Sequence, residues 1–166
     1  MKRDPSGPRS LDGPAETIAA AKGARAFWWS CAVAAPPVAF AVAASGYPMA
    51  VGEAARDLAL IGLWSVSEEI VFRGALQPAL ARAFAGRFPS MRPLAWMTPA
   101  NLATSALFAA LHLWRHPFLG ALAVFPVSLV YGRARELSGR WWPAAALHLF
   151  FNLLLYAASW WLARGG

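Results

Sequence analysis

Long apolar runs separated by short polar punctuation set the pattern of this chain. Residues 1–25 are polar and basic, with Lys2, Arg3, Arg9, Lys22 and Arg25 among prolines and glycines. That composition predicts a tail whose first part is disordered. Ala26 to Ser45 follows as an apolar run of 20 residues. A membrane span needs about 20 such residues and a signal-peptide core roughly 7–15, so the run reads as a retained anchor, kinked at Pro36-Pro37. Further helices are predicted from Leu58 to Leu80, Thr98 to Trp114, Phe118 to Tyr131 with a kink at Pro126, and Trp142 to Ala163. Pro99 suits a first helical turn, and Pro117 disfavours helical geometry at His116. Residues 81–93, with Arg82, Arg87 and Arg92, read as a loop or a surface helix; 132–140, with Arg133, Arg135 and Arg140, reads as a loop. The predicted fold is all-α, a polytopic transmembrane helical bundle of about five spans. The tail would end at residue 25 and the membrane domain would occupy 26–166, with its core at 58–155.

Composition sharpens the class. Apolar residues make up 58% of the chain and charged ones 14%, against roughly 25% charged in soluble proteins. The nine Trp and ten Phe suit aromatic belts, and Trp pairs mark both ends of the last predicted helix. A net charge of +7 raises nucleic acid as a partner. The basic residues lie between apolar runs and form no stripe, which points instead to lipid headgroups and to topology. With the N-terminus inside, the tail and the two loops hold 5, 3 and 3 Lys or Arg, whereas the outer segments hold only Arg56, Arg115 and Arg164. The expectation is a multi-pass protein of the cell inner (cytoplasmic) membrane with a cytoplasmic N-terminus. Cys31 is the single cysteine, so the chain has no internal disulfide.

Three polar clusters lie inside the apolar helices: Glu68-Glu69-x-x-x-Arg73, Phe108-x-x-x-His112 and His148-x-x-x-Asn152. Buried carboxylates and imidazoles are costly in a bilayer unless a partner or a wet cavity receives them. Adjacent helical residues point about 100° apart, so Glu68 and Glu69 face differently. Arg73 lies one turn after Glu69, which fits an ion pair that leaves Glu68 to activate water. The Phe108 ring is placed to fix the His112 imidazole. His148 and Asn152 share a face, and both can donate hydrogen bonds to a developing oxyanion. Each cluster taken alone also fits a bland reading: a structural ion pair, a satisfied core histidine, an interhelical hydrogen bond. Together, a carboxylate, two imidazoles and an amide are what water activation and a tetrahedral intermediate require. His116 forms an i, i+4 pair with His112, but the predicted break at Pro117 makes it an interfacial bystander. Simple counting leaves one tension: His112 falls near the outer face, Glu68 at mid-membrane and His148 nearer the inner face.

At these residues the chain resembles the CPBP family of intramembrane proteases, the CAAX protease and bacteriocin-processing or Abi family. The family's hallmarks EExxxR, FxxxH and HxxxN/D occur here in order, across about residues 58–155. The resemblance implies glutamate-type proteolysis with no cofactor and no obligatory metal. Glu68 and His112 would activate water, His148 and Asn152 would form the oxyanion site, and Glu69, Arg73 and Phe108 would support the geometry. The implied partners are the bilayer and a membrane-associated protein or peptide substrate. In its compactness the chain is similar to myxosortase-type members, which remove C-terminal sorting tails. Two rival readings are a non-catalytic immunity partner of the same family and a metal hydrolase using Glu68, Glu69, His112 and His148 as ligands.

Overall fold

The computed structural model describes residues 14–45, 52–87, 97–116 and 118–165. The chain divides into two compact units, Met1–Ala35 and Pro36–Gly166. Helix α1 runs from Pro14 to Ala44 and passes through Pro36 and Pro37. Its start precedes the expected Ala26, because the alanine-rich stretch after Pro14 favours helix despite its polar residues. Residues 14–25 of the polar tail are therefore helical, while 1–13, the part in which disorder is expected, lie outside the described residues.

Within Pro36–Gly166, the helix expected over 58–80 is longer and has three parts. Helix α2 (Ala54–Glu69) leads into a π-helical stretch, Ile70–Leu76, and then helix α3 (Gln77–Phe84). The wider π turn gives up regular i→i−4 bonding, a feature frequent at functional sites. One carbonyl in this stretch finds an outside partner: Arg73 O accepts from Arg135 Nε at 3.0 Å. Helix α4 (Pro99–His112) starts with Thr98 as its cap, whose hydroxyl accepts from Asn101 N at 3.1 Å. Helix α5 (Phe118–Ser138) continues through Pro126 and seven residues past the expected end. Arg133 and Arg135 thus belong to a helix, not to a loop. Arg133 pairs with Glu136 at 3.4 Å on its own helix, and Arg135 reaches across to Arg73. Gly139, at φ 69°, closes α5 in the left-handed conformation that glycine tolerates. Helix α6 (Trp142–Ala163) has the expected bounds.

The distribution of side chains is inverted relative to a water-soluble protein. Glu69, Arg73, Asn101, Thr104 and Ser128 are fully buried, while Leu63, Val71, Leu111, Leu119 and Leu122 are exposed. An exterior this apolar matches a hydrocarbon solvent. Among the described residues, two helices are long and apolar enough to cross a membrane, Ala21–Ala44 and Trp142–Ala163. The second unit places Ala39 and Ala43 of α1 against Leu155 of α6; small residues one turn apart let membrane helices approach closely. Where α5 meets α4, Gly132 lies so near Asn101 that a Cβ there would fall 1.8 Å from Asn101 Oδ1. That contact lets Asn101 donate to Leu129 O at 3.0 Å and accept from Ser105 at 3.1 Å.

Helix lengths remove the depth tension. With 14 residues, α4 is about 21 Å long, against about 30 Å of hydrocarbon. Its last residue, His112, need not lie at a membrane face.

Candidate active site

The two glutamates end α2 and take different environments. Glu69 points into the bundle and is fully buried. Its Oε1 accepts from Arg73 Nη1 at 3.1 Å and from His148 Nδ1 at 3.0 Å. Because an ionised carboxylate only accepts, Nδ1 of His148 carries the proton in this bond and Nε2 is left for other work. Arg73 is held from its other side by Ser128, whose carbonyl and hydroxyl oxygens accept from Nη2 at 2.7 and 2.6 Å. The guanidinium carbon lies 4.9 Å from the Phe108 ring centre, 5.7 Å from Tyr131 and 5.9 Å from Phe72. Aromatic faces thus enclose the buried cation.

Glu68 faces a cavity of about 490 Å³ that His112, His148, Asn152, Phe108, Tyr131 and Trp64 also line. Its side chain keeps 31% exposure, and its Oε2 is 3.9 Å from His148 Nε2. The His148 ring stacks on Tyr131 at 4.8 Å and 20°, with Phe108 edge-on at 5.9 Å. His112 Nδ1 donates to the Phe108 carbonyl at 2.8 Å, and its ring lies 4.7 Å from the Phe108 ring. That bond turns Nε2 of His112 away from its own helix. Asn152 Nδ2 donates to Ser65 Oγ at 3.0 Å. Apolar side chains including Leu60, Ile61, Val124, Val127 and Phe151 complete the lining.

The structure therefore brings Glu68, His112, His148 and Asn152 to one cavity and sets Glu69 and Arg73 behind it. His148 and Asn152 both reach the cavity, but one Asn152 N–H is engaged by Ser65. His116 also differs from expectation: it stacks on His112 at 5.8 Å and 17° and lines the cavity. The cause is local, since His116 N still donates to His112 O at 2.9 Å, which preserves one-turn spacing beyond the end of α4. Burial, with His112 and Arg115 adding, holds the His116 imidazole below its usual value. The four-ligand set Glu68, Glu69, His112 and His148 is not assembled; among the described residues no group of three or more His, Cys, Asp or Glu is placed to hold a metal ion. Glu69 is turned away from Glu68 and toward Arg73.

Three participants escaped sequence reasoning. Ser65 precedes Glu69 by one turn, a spacing visible in the sequence, but a lone serine in an apolar helix carries no signal of its own. Ser128 and Tyr131 lie in an apolar stretch without acids or histidines, so nothing marked them.

An apolar-surfaced helical bundle around a charged, partly open cavity defines a membrane protein with a site suited to chemistry within it. The family model for type II CAAX prenyl endopeptidase Rce1-like proteins matches residues 50–154, well over half of the chain. The chain belongs to this Rce1-like family, a family of membrane peptidases. No curated protein and no solved structure matches the chain.

Proposed function

We propose that this protein is an intramembrane endopeptidase of the glutamate type, hydrolysing a peptide bond in a membrane-associated protein or peptide. The observation that carries the reading is the unequal pair: Glu69 is neutralised by Arg73 while Glu68 stays open to the cavity. A water held between Glu68 and Nε2 of His112 gives a proton to the Glu68 carboxylate as its oxygen adds to the scissile carbonyl. The resulting oxyanion takes hydrogen bonds from Asn152 and from His148. Nε2 of His148 donates only as the imidazolium, a charge that the oxyanion itself offsets. Collapse of the intermediate breaks the C–N bond, and the proton from water passes to the leaving amine. Preorganised donors of this kind are worth roughly 3–4 kcal/mol each.

For the substrate, family membership points to C-terminal processing of the CAAX type. A second candidate substrate is a sorting tail made of a short motif, a hydrophobic span and a basic end, as in myxosortase-type enzymes. The distribution of Lys and Arg supports a cytoplasmic N-terminus for a multi-pass protein of the inner membrane. The test is to reconstitute the protein in vesicles with two quenched fluorescent peptides, one ending in a prenylated CAAX box and one carrying such a tail. Cleavage of either by wild type and of neither by Glu68→Ala supports the proposal. Equal cleavage by Glu68→Ala would end it.

A further inference from the structure

We infer that Ser65 is a positioning residue that aims the Asn152 amide at the reacting carbonyl; the inference rests on the endopeptidase reading above. Ser65 is fully buried on α2, three residues before Glu68. A hydroxyl buried in an apolar bundle is costly unless bonded, and the structure gives it Asn152 Nδ2 as donor at 3.0 Å. Asn152 lines the cavity from α6, one turn after His148. The terminal torsion of an asparagine is broad, so an amide without a partner sweeps a wide arc. Donation of one N–H to Ser65 fixes the amide plane, and the second N–H of the same nitrogen is then held in that plane for the cavity.

The placement of Ser65 has a mechanistic consequence. The turn of α2 that carries Glu68 also carries the strut of Asn152. The base that activates water and the donor that receives the oxyanion are thereby referenced to a single rigid element, although they belong to different helices. Catalytic groups need placement to about 0.5 Å, which a neighbouring hydrogen bond supplies. A merely structural bond between α2 and α6 would affect melting and leave the chemical step alone. A positioning bond acts through Asn152 and on turnover.

The experiment uses the full-length protein in vesicles and whichever of the two peptides wild type cleaves, with Ser65→Ala, Asn152→Ala and the double variant. Ser65→Ala is expected to lower kcat roughly tenfold with KM unchanged, a part of the loss typical for one oxyanion donor. The double variant is expected to match Asn152→Ala, because the strut has nothing left to aim. Wild-type kcat in Ser65→Ala, or losses that add in the double variant, would overturn the inference. A second readout needs no variant that folds: exchange of the Asn152 side-chain amide protons in wild type. One slowly exchanging N–H supports the strut, and two fast ones overturn it. Failure of wild type to cleave either peptide would remove the endopeptidase reading itself, a result separate from full activity in Ser65→Ala.

Discussion

Replacing Glu69 by Gln keeps the shape of the side chain and removes its charge. Arg73 is fully buried and has Glu69 as its ion-pair partner at 3.1 Å; its other hydrogen bonds go to Ser128. His148 loses the carboxylate that accepts its Nδ1–H at 3.0 Å. Breaking a buried pair from one side leaves an uncompensated charge and costs about 3–5 kcal/mol. For a chain of this size that is a fall in melting temperature on the order of 10 °C. Glu68→Gln is the contrasting variant. Its contact with His148 is 3.9 Å long and its side chain is 31% exposed, so the pair is worth at most about 1 kcal/mol. Loss of the general base, however, removes roughly 10²–10⁴ of the rate. Two adjacent glutamates should therefore separate, one governing stability and the other governing turnover. Tryptophan-fluorescence melts in detergent, read beside cleavage rates, measure both. A Glu69→Gln protein that melts with wild type, or a Glu68→Gln protein that melts far below it, would refute the division.

Other consequences follow from single contacts. Gly132→Ala places a Cβ 1.8 Å from Asn101 Oδ1, and overpacking there should destabilise the protein by about 1–3 kcal/mol in the same melts. Ser128→Ala removes the hydroxyl that accepts from Arg73 at 2.6 Å, a bond to a charged group worth about 1.5–3 kcal/mol; its melting temperature should fall between those of wild type and Glu69→Gln. Tyr131→Phe keeps the ring stacked on His148, whereas Tyr131→Leu removes it. The leucine variant should lose turnover by the factor of a few to about tenfold that an aromatic pair of about 0.5–1.5 kcal/mol implies, and the phenylalanine variant should lose less. Thr98→Ala removes both the α4 cap and the bond to Glu136 at 2.6 Å, and a loss of about 1 kcal/mol is expected.

Much of the architecture was legible because hydrophobic length carries it. Trp142–Ala163 was legible from its apolar length and the tryptophan pairs at its two ends. The misread segments share one cause, which is that charge was taken for solvent. Arg133 and Arg135 looked like a loop, but their partners, Glu136 and the Arg73 carbonyl, are contacts that spacing along the chain does not reveal. Residues 14–25 look polar, yet their alanines form a helix. The Glu69–Arg73 bond was readable from one-turn spacing. The Glu69–His148 bond joins residues 79 apart in sequence, and nothing local announces it. Nor does composition foretell the π-helical turn that follows Glu69.

The central claim is that Glu68, and not its neighbour, activates the water that cleaves the substrate. Mass spectrometry of the vesicle-bound peptide in H₂¹⁸O tests it most directly, with wild type and Glu68→Gln compared at equal folded concentration. The account predicts one ¹⁸O in the new C-terminal carboxylate made by wild type and intact peptide with the variant. The labelled product formed at the wild-type rate by Glu68→Gln would contradict it.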